Sequence, residues 1–311
     1  MTPIVVVGVD GSMPSMAAAS WAADEARRQQ CHLEVLAAYV VPIVGHPDHD
    51  HRPEFADAIR ISRQHVLDHV EAELARTHPD LEIATSLVES DARTALVEAS
   101  KGAGLTVVGS RGSGRLVEIP LGSVAMHVAA HARSPVAVVP HGLPFPDRPV
   151  VVGVDGSPAG HAALGHALDQ AATRGVALVA IHACADVTSR ESSRRTVTSG
   201  ADSPAQQADL TAQLADWRGK YQDVAVREVI CRGQPAAALL RYGQQWPDEQ
   251  SPQLIVVGSR GQVRLAGGQL GSTSGALIAH ATCPIIVVHA PVASKSPATK
   301  LSGAIQHRNP A

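Results

Sequence analysis

Two loops of this chain carry one spacing of small residues: Gly109, two residues, Gly112, nine residues, Gly122-Ser123, and again Gly258, two residues, Gly261, nine residues, Gly271-Ser272. Each follows a short β-branched apolar run and precedes a helical pattern, so its first glycine ends a strand and its Gly-Ser pair opens a helix. Backbone N–H groups at a helix start lack intrahelical partners. With the Ser123 or Ser272 hydroxyl and the helix dipole they make an anion site matched to phosphate. The glycines let the loop backbone come close to pyrophosphate oxygens. Arg111 and Arg260 lie in the same loops, placed either to add charge or to face water. A single Gly-x-x-Gly would need no reading beyond a tight turn; the whole spacing, found twice between a strand and a helix, points to a nucleotide.

A second pair of loops, Gly8-Val9-Asp10-Gly11-Ser12 and Gly153-Val154-Asp155-Gly156-Ser157, ends the first strand of each repeat. There Asp10 and Asp155 could accept hydrogen bonds from ribose hydroxyls or bind a magnesium ion bridging phosphates. The alternative is an Asx-type turn that fixes the strand–helix corner; ligand contact is favoured because the carboxylate stands at the carboxyl edge in both copies. Other nucleotide sites are excluded: no G-x-x-x-x-G-K-[ST] occurs, no G-x-G-x-x-G follows the first strand, and kinase motifs are absent.

The elements that position these loops come from a duplication. VVVGVDGS at Val5–Ser12 returns at Val150–Ser157, TVVGSRG at Thr106 returns as IVVGSRG at Ile255, and HARSPVAVV at His131 returns as HATCPIIVV at His280. A few residues are gained in the second copy, expected near Gln244 to Gln253. Copy one reads as strands at Ile4–Val9, Leu33–Val40, Leu81–Val88, Leu105–Gly109 and Val136–Val139. They alternate with helices at Ser12 to Gln30, Glu54–Arg76, Ala92–Lys101 and Ser123–Ala132. Such alternation demands a parallel sheet with helices on both faces. The expectation is therefore two tandem open α/β domains, residues 1–140 and 149–290, with a linker at 141–148 and a flexible tail at 291–311.

Composition fits this. Only 3% of residues are aromatic, so Val, Ala, Leu and Ile must build the core. A formal charge of -3 gives no basic excess for nucleic acid, and no apolar stretch is long enough to span a membrane. The N-terminus runs straight into a strand pattern without a basic leader, so a cytoplasmic location is expected. Cys31, Cys184, Cys231 and Cys283 form no C-x-x-C pair and read as buried thiols.

These motifs resemble the universal stress protein family, in the tandem-domain form common in actinobacteria. The most specific mark is the G-x2-G-x9-G-[ST] signature of its ATP-binding branch. The resemblance implies a five-stranded parallel sheet of order 3-2-1-4-5 in each domain, ATP as ligand, with Mg2+, the first-strand Asp as a nucleotide contact, and adenine near the end of strand two. That last place is about Val40 in the first copy and Ala183 in the second. It also implies that Val136–Val139 and Ile285–Val288 pair within this chain. Two departures stand out: a further hydroxyl after the Gly-Ser serine is present as Ser274 but replaced by Ala125, and a glycine after strand three is present as Gly233 but replaced by Ser90.

No catalytic base is evident in the pocket motifs. Glu118 is the one acidic residue of the first phosphate loop, and the second copy has Gly267 there. The expectation is a nucleotide-responsive regulatory protein acting through conformation or an unidentified protein partner, with a homodimer left open. The alternative is a slow ATPase or nucleotidyl-transfer enzyme on the same architecture. The tract His46-Pro-Asp-His49-Asp-His51 could ligate a metal, but reads better as a polar loop, since the second copy lacks it.

Overall fold

The computed structural model describes residues 3–42, 52–112, 122–142, 147–184, 204–242, 251–261 and 270–290. The first repeat runs β1 (Ile4–Gly8), α1 (Met13–Arg28), β2 (His32–Tyr39), α2 (Arg52–Thr77), β3 (Ile83–Glu89), α3 (Ala92–Ala99), β4 (Leu105–Gly109), α4 (Ser123–His131), β5 (Val136–Val139). The second runs β6 (Val150–Gly153), α5 (Pro158–Arg174), β7 (Leu178–Cys184), α6 (Pro204–Arg218), β8 (Val226–Arg232), α7 (Pro235–Arg241), β9 (Leu254–Gly258), α8 (Ser272–His280), β10 (Ile285–Val288).

Each repeat forms the expected order 3-2-1-4-5, all parallel, and the two join into one ten-stranded sheet through an antiparallel β5–β10 seam. Short runs such as Val5-Val6-Val7 and Val150-Val151-Val152 are buried on both faces because helices cover both sides. Helices α1, α2, α5 and α6 pack on one face, and α3, α4, α7 and α8 on the other. Each layer's apolar cluster draws on both repeats, so the core is continuous across the seam. Alanines one turn apart, Ala18-Ala22-Ala26 on α1 and Ala163-Ala167-Ala171 on α5, seat these helices flat on the valine sheet and are fully buried. Cys31, Cys231 and Cys283 are buried thiols, and burial pushes Cys283 up to about 12. Among the described residues no helix is long and apolar enough to cross a membrane.

Several boundaries move. β2 ends at Tyr39, so Val40 lies just past it; β1 stops at Gly8; β3 begins at Ile83, because Leu81 belongs to a turn closed by its N–H to His78 O. Helix α3 ends at Ala99 with Ser100 as C-cap. The extra length of the second copy falls in the α7–β9 connection, residues 242–253, against 100–104 in the first.

Candidate functional site

At the carboxyl edge of β1 the ladder continues one residue, Val9 N–H donating to Leu36 O, and then turns at Gly11 with φ +84°. Gly156 takes the same left-handed place with φ +74°, a conformation that favours glycine. Asp10 Oδ1 accepts from Ser12 N–H at 3.0 Å and from Ser12 Oγ at 2.6 Å. Asp155 does the same with Ser157, at 3.0 and 2.6 Å. Each serine is also the N-cap of the following helix: Ser12 Oγ accepts from Ser15 N–H at 3.4 Å and Ser157 Oγ from Gly160 N–H at 3.0 Å. The Asx turn is thus present in both copies. One carboxylate oxygen orients the cap serine.

The other oxygen faces the second loop. A Cβ built on Gly112 would lie 2.8 Å from Asp10 Oδ2, and one on Gly261 would lie 2.8 Å from Asp155 Oδ2. No side chain fits between them, which explains the middle glycine of the signature. The first glycine has a packing reason: a Cβ on Gly109 would stand 2.8 Å from the Pro14 carbonyl carbon, and one on Gly258 2.8 Å from that of Ala159. The start of α1 or α5 therefore rests directly on the end of β4 or β9.

The far end of each loop returns to its beginning. Gly122 N–H donates to Ser110 O at 3.0 Å and Gly271 N–H to Ser259 O at 2.9 Å. Ser110 and Ser259 in turn donate to Val139 O and Val288 O, at 2.8 and 2.7 Å. Helices α4 and α8 then begin with Gly122 and Gly271 as N-caps, and neither start carries a side-chain cap bond. Their first intrahelical bonds are Met126 N–H to Gly122 O and Gly275 N–H to Gly271 O, so the amides of the first turn point out of the helix end. Ser123 and Ser272 are exposed beside those amides. The structure therefore brings Asp10, Gly109, Gly112, Gly122 and Ser123 to one edge, and Asp155, Gly258, Gly261, Gly271 and Ser272 to its counterpart.

Three nominated positions sit differently. Val40 is exposed beyond β2. Ala183 is the penultimate residue of β7, and the registers Val5 with Leu33 and Val150 with Leu178 make it the counterpart of Ala38. Val40 and Ala183 are therefore not equivalent places; the equivalent of Val40 is Ala185, outside the described residues. Ser274 is buried and its hydroxyl donates to Gly258 O at 2.7 Å, bracing the end of β9. Ala125 fills that place in the first copy, also buried. Glu118, Gly267 and the tract His46–His51 lie outside the described residues.

Two bracing residues escaped the sequence reading. Arg63 on α2 donates from Nη1 to Asp10 O at 3.0 Å. In the second copy His182 Nδ1 bonds Val154 O at 2.8 Å. Neither belongs to a repeated motif: His182 stands where the first copy has Ala37, so comparing the copies would have hidden both. Gly233 adopts φ +128° after β8, whereas the Ser90 corner passes into Asp91, which caps α3 by accepting from Arg93 N–H.

A model of the family described as "Universal stress protein family" matches residues 1–140 and 148–289. A universal stress protein of Mycolicibacterium smegmatis is 34% identical over 292 residues, covering 91% of this chain and 96% of that one. One from Mycobacterium tuberculosis is 34% identical over 303 residues, with coverage of 91% and 96%. The crystal structure of a universal stress protein from Archaeoglobus fulgidus has the same fold, with a TM-score of 0.69 at 21% identity over 92% of this chain and 96% of that one. With both repeats matched and relatives aligned along nearly its whole length, the chain belongs to the universal stress protein family.

Proposed function

We propose that this protein binds ATP, with Mg2+, at one site in each repeat and acts as a nucleotide-responsive regulator. The observation that carries this reading is the duplicated cradle: an uncapped Gly-Ser helix start facing a loop whose glycines leave no room for a Cβ, with an acidic residue at its rim. The uncapped amides suit phosphate oxygens, and the absence of side chains at Gly112 and Gly261 suits close backbone approach. Asp10 and Asp155, each with Oδ1 bonded to the cap serine and Oδ2 facing the glycine loop, are the carboxylates this reading assigns to a ribose hydroxyl or a phosphate-bound magnesium ion. Bound ATP would contact the glycine loops, and the first described end of each loop is tied to the seam strand of its repeat through Ser110 to Val139 and Ser259 to Val288. Nucleotide occupancy therefore has a short mechanical route to the domain–domain seam, where partner choice or conformation could respond.

Denaturing the purified protein and identifying the released nucleotide, followed by calorimetric titration of nucleotide-free protein with Mg-ATP, tests this. Two ATP per chain are expected, falling to one in Asp155→Ala. No adenine nucleotide released and no heat on titration would end the proposal.

A further inference from the structure

In a pair of like domains related by a twofold axis, residues near the axis meet their own copies. Here the axis can be located, because equivalent positions of the two repeats face each other at three places. In the seam, Ala137 pairs with Ile286, which hold the same place in the two repeats. On the α4–α8 face, the Met126 methyl lies 3.8 Å from a Cβ built on Gly275, and these too are equivalent positions. On the α1–α5 face, Gln170 donates from Nε2 to Glu25 Oε1 at 2.8 Å, again equivalents. Flanking that pair, Gln29 donates to Glu25 Oε1 at 2.6 Å, while its equivalent Arg174 reaches Glu25 Oε2 at 2.6 Å and also Gln170 Oε1.

Every one of these facing pairs is unlike: small against large in the seam, large against none on one face, acid against amide and base on the other. The side chains are fully buried or nearly so at Glu25, Arg174, Ala137 and Ile286. We propose that these positions form a pairing code by which each repeat accepts the unlike repeat of its own chain and rejects a second copy of itself. Two N-terminal repeats would bring Met126 against Met126, Ala137 against Ala137 and Glu25 against Glu25, with the buried Arg174 missing and only the partly exposed Arg28, at 3.4 Å, to answer each carboxylate. Two C-terminal repeats would oppose Ile286 to Ile286, leave a void between glycines and bury two guanidinium groups without a carboxylate. The misfits lie in different layers, so excess volume in one cannot fill the deficit in another. A buried carboxylate or guanidinium without its counter-charge is the most costly of them.

The test exchanges the code within the full chain. One variant, Q170E/R174Q/G275M/I286A, gives the C-terminal repeat the residues of the N-terminal one. Another, E25Q/Q29R/M126G/A137I, does the reverse, and the third combines all eight changes. Each half-exchange is expected to lower the unfolding midpoint by roughly 5 °C or more, or to prevent folding. It should also speed amide exchange along the β5–β10 ladder. The eightfold variant is expected to recover most of the loss, since it restores each of these facing contacts in mirror image and leaves out only the longer Arg28–Glu25 contact. Half-exchanges as stable as the parent, or an eightfold variant no better than either half, would overturn the proposal.

Discussion

The two repeats hold the described ends of their glycine loops almost identically, yet brace them with different side chains. In both, an Asp–Ser–helix relay sets the β1 or β6 corner and a Gly N–H to Ser C=O bond joins the two ends of the second loop. Around that shared frame the first repeat is braced by Arg63 from α2, a 26-residue helix, and the second by His182 and Ser274, with a 15-residue α6. The lesson is that the first glycine of each loop is fixed by backbone that leaves no room for a Cβ, while supporting contacts were free to diverge.

The sharpest break in the comparison should come from the seam. Arg174→Met leaves Glu25 buried beside only amides and Arg28. It is expected to cost about 3–5 kcal/mol, the usual penalty for stranding a buried charge. The equivalent change in the first repeat, Gln29→Met, removes one hydrogen bond to the same carboxylate and should cost about 1–2 kcal/mol. Denaturant unfolding of both variants reads the difference; equal losses would mean that the ion pair is not what sets the two positions apart. Arg174 and its hydrogen bonds, with Gln170 and Gln29, hold Glu25 below the usual carboxylate range against its own desolvation. A depressed folded-state value means that this stability is present above the unfolded value and is lost as pH falls through the folded one, so the contribution of Arg174 should fade in acid below about pH 4.

Next come changes that should treat the repeats alike. Gly109→Ala and Gly258→Ala each drive a Cβ to 2.8 Å from backbone that cannot swing aside. Each is expected to cost about 1–3 kcal/mol of stability and to abolish one of the two proposed nucleotide sites. Titration should fall from two equivalents to one in either variant. A loss confined to one repeat would show that the shared frame is less equal than its geometry.

A smaller effect distinguishes Trp21 from its equivalent His166. His166 is half-buried, its Nε2 is buried without a hydrogen-bond partner among the described residues, and burial pushes its pKa down. A depressed histidine is neutral when folded and takes up a proton on unfolding. Its penalty is therefore absent above pH about 6.5, the unfolded value, and grows as pH falls from there toward the folded one. His166→Leu should flatten the fall in stability below about pH 6.5 and leave neutral stability intact or slightly raised. An unchanged pH profile would assign that acid sensitivity to His127 or His289, which burial also depresses.

What the sequence made legible follows the same division. The duplicated loops and the strand–helix alternation could be read because each is written in backbone terms, as β-branched runs, glycine spacing and alternating periods, whereas the strand order and the β5–β10 pairing followed from the family resemblance. Side-chain roles were read less well. Ser274 stood out as a further hydroxyl beside the Gly-Ser helix start, but from the third position of α8 it folds back onto Gly258 O. Val40 and Ala183 were both placed near the end of strand two from the family resemblance, and only the strand register separates them. Arg63 could not be seen because its partner is a carbonyl 53 positions away, and no spacing rule reports a contact made by tertiary packing.

Ser274→Ala turns that reading into a measurement of about 1 kcal/mol. As a brace, the hydroxyl should contribute to the stability of nucleotide-free protein, and its loss should affect ATP affinity only weakly; as a phosphate contact the order of effects reverses.

The smallest effect expected concerns Arg63. One of its N–H groups is spent on Asp10 O, which holds the corner carrying the carboxylate. Arg63→Ala should therefore loosen only the N-terminal site, weakening its ATP affinity a few-fold. His182→Ala should do the same for the C-terminal site by freeing Val154 O. Each variant is best titrated in both single-site backgrounds, Asp155→Ala to read the N-terminal site and Asp10→Ala to read the C-terminal one, so that one affinity is read at a time. If each bracing residue governs only its own repeat, the two sites were tuned separately on a common frame. If Arg63→Ala also weakens the C-terminal site, the corners communicate through the seam, and the divergence of their braces is a difference in signalling as well as in support.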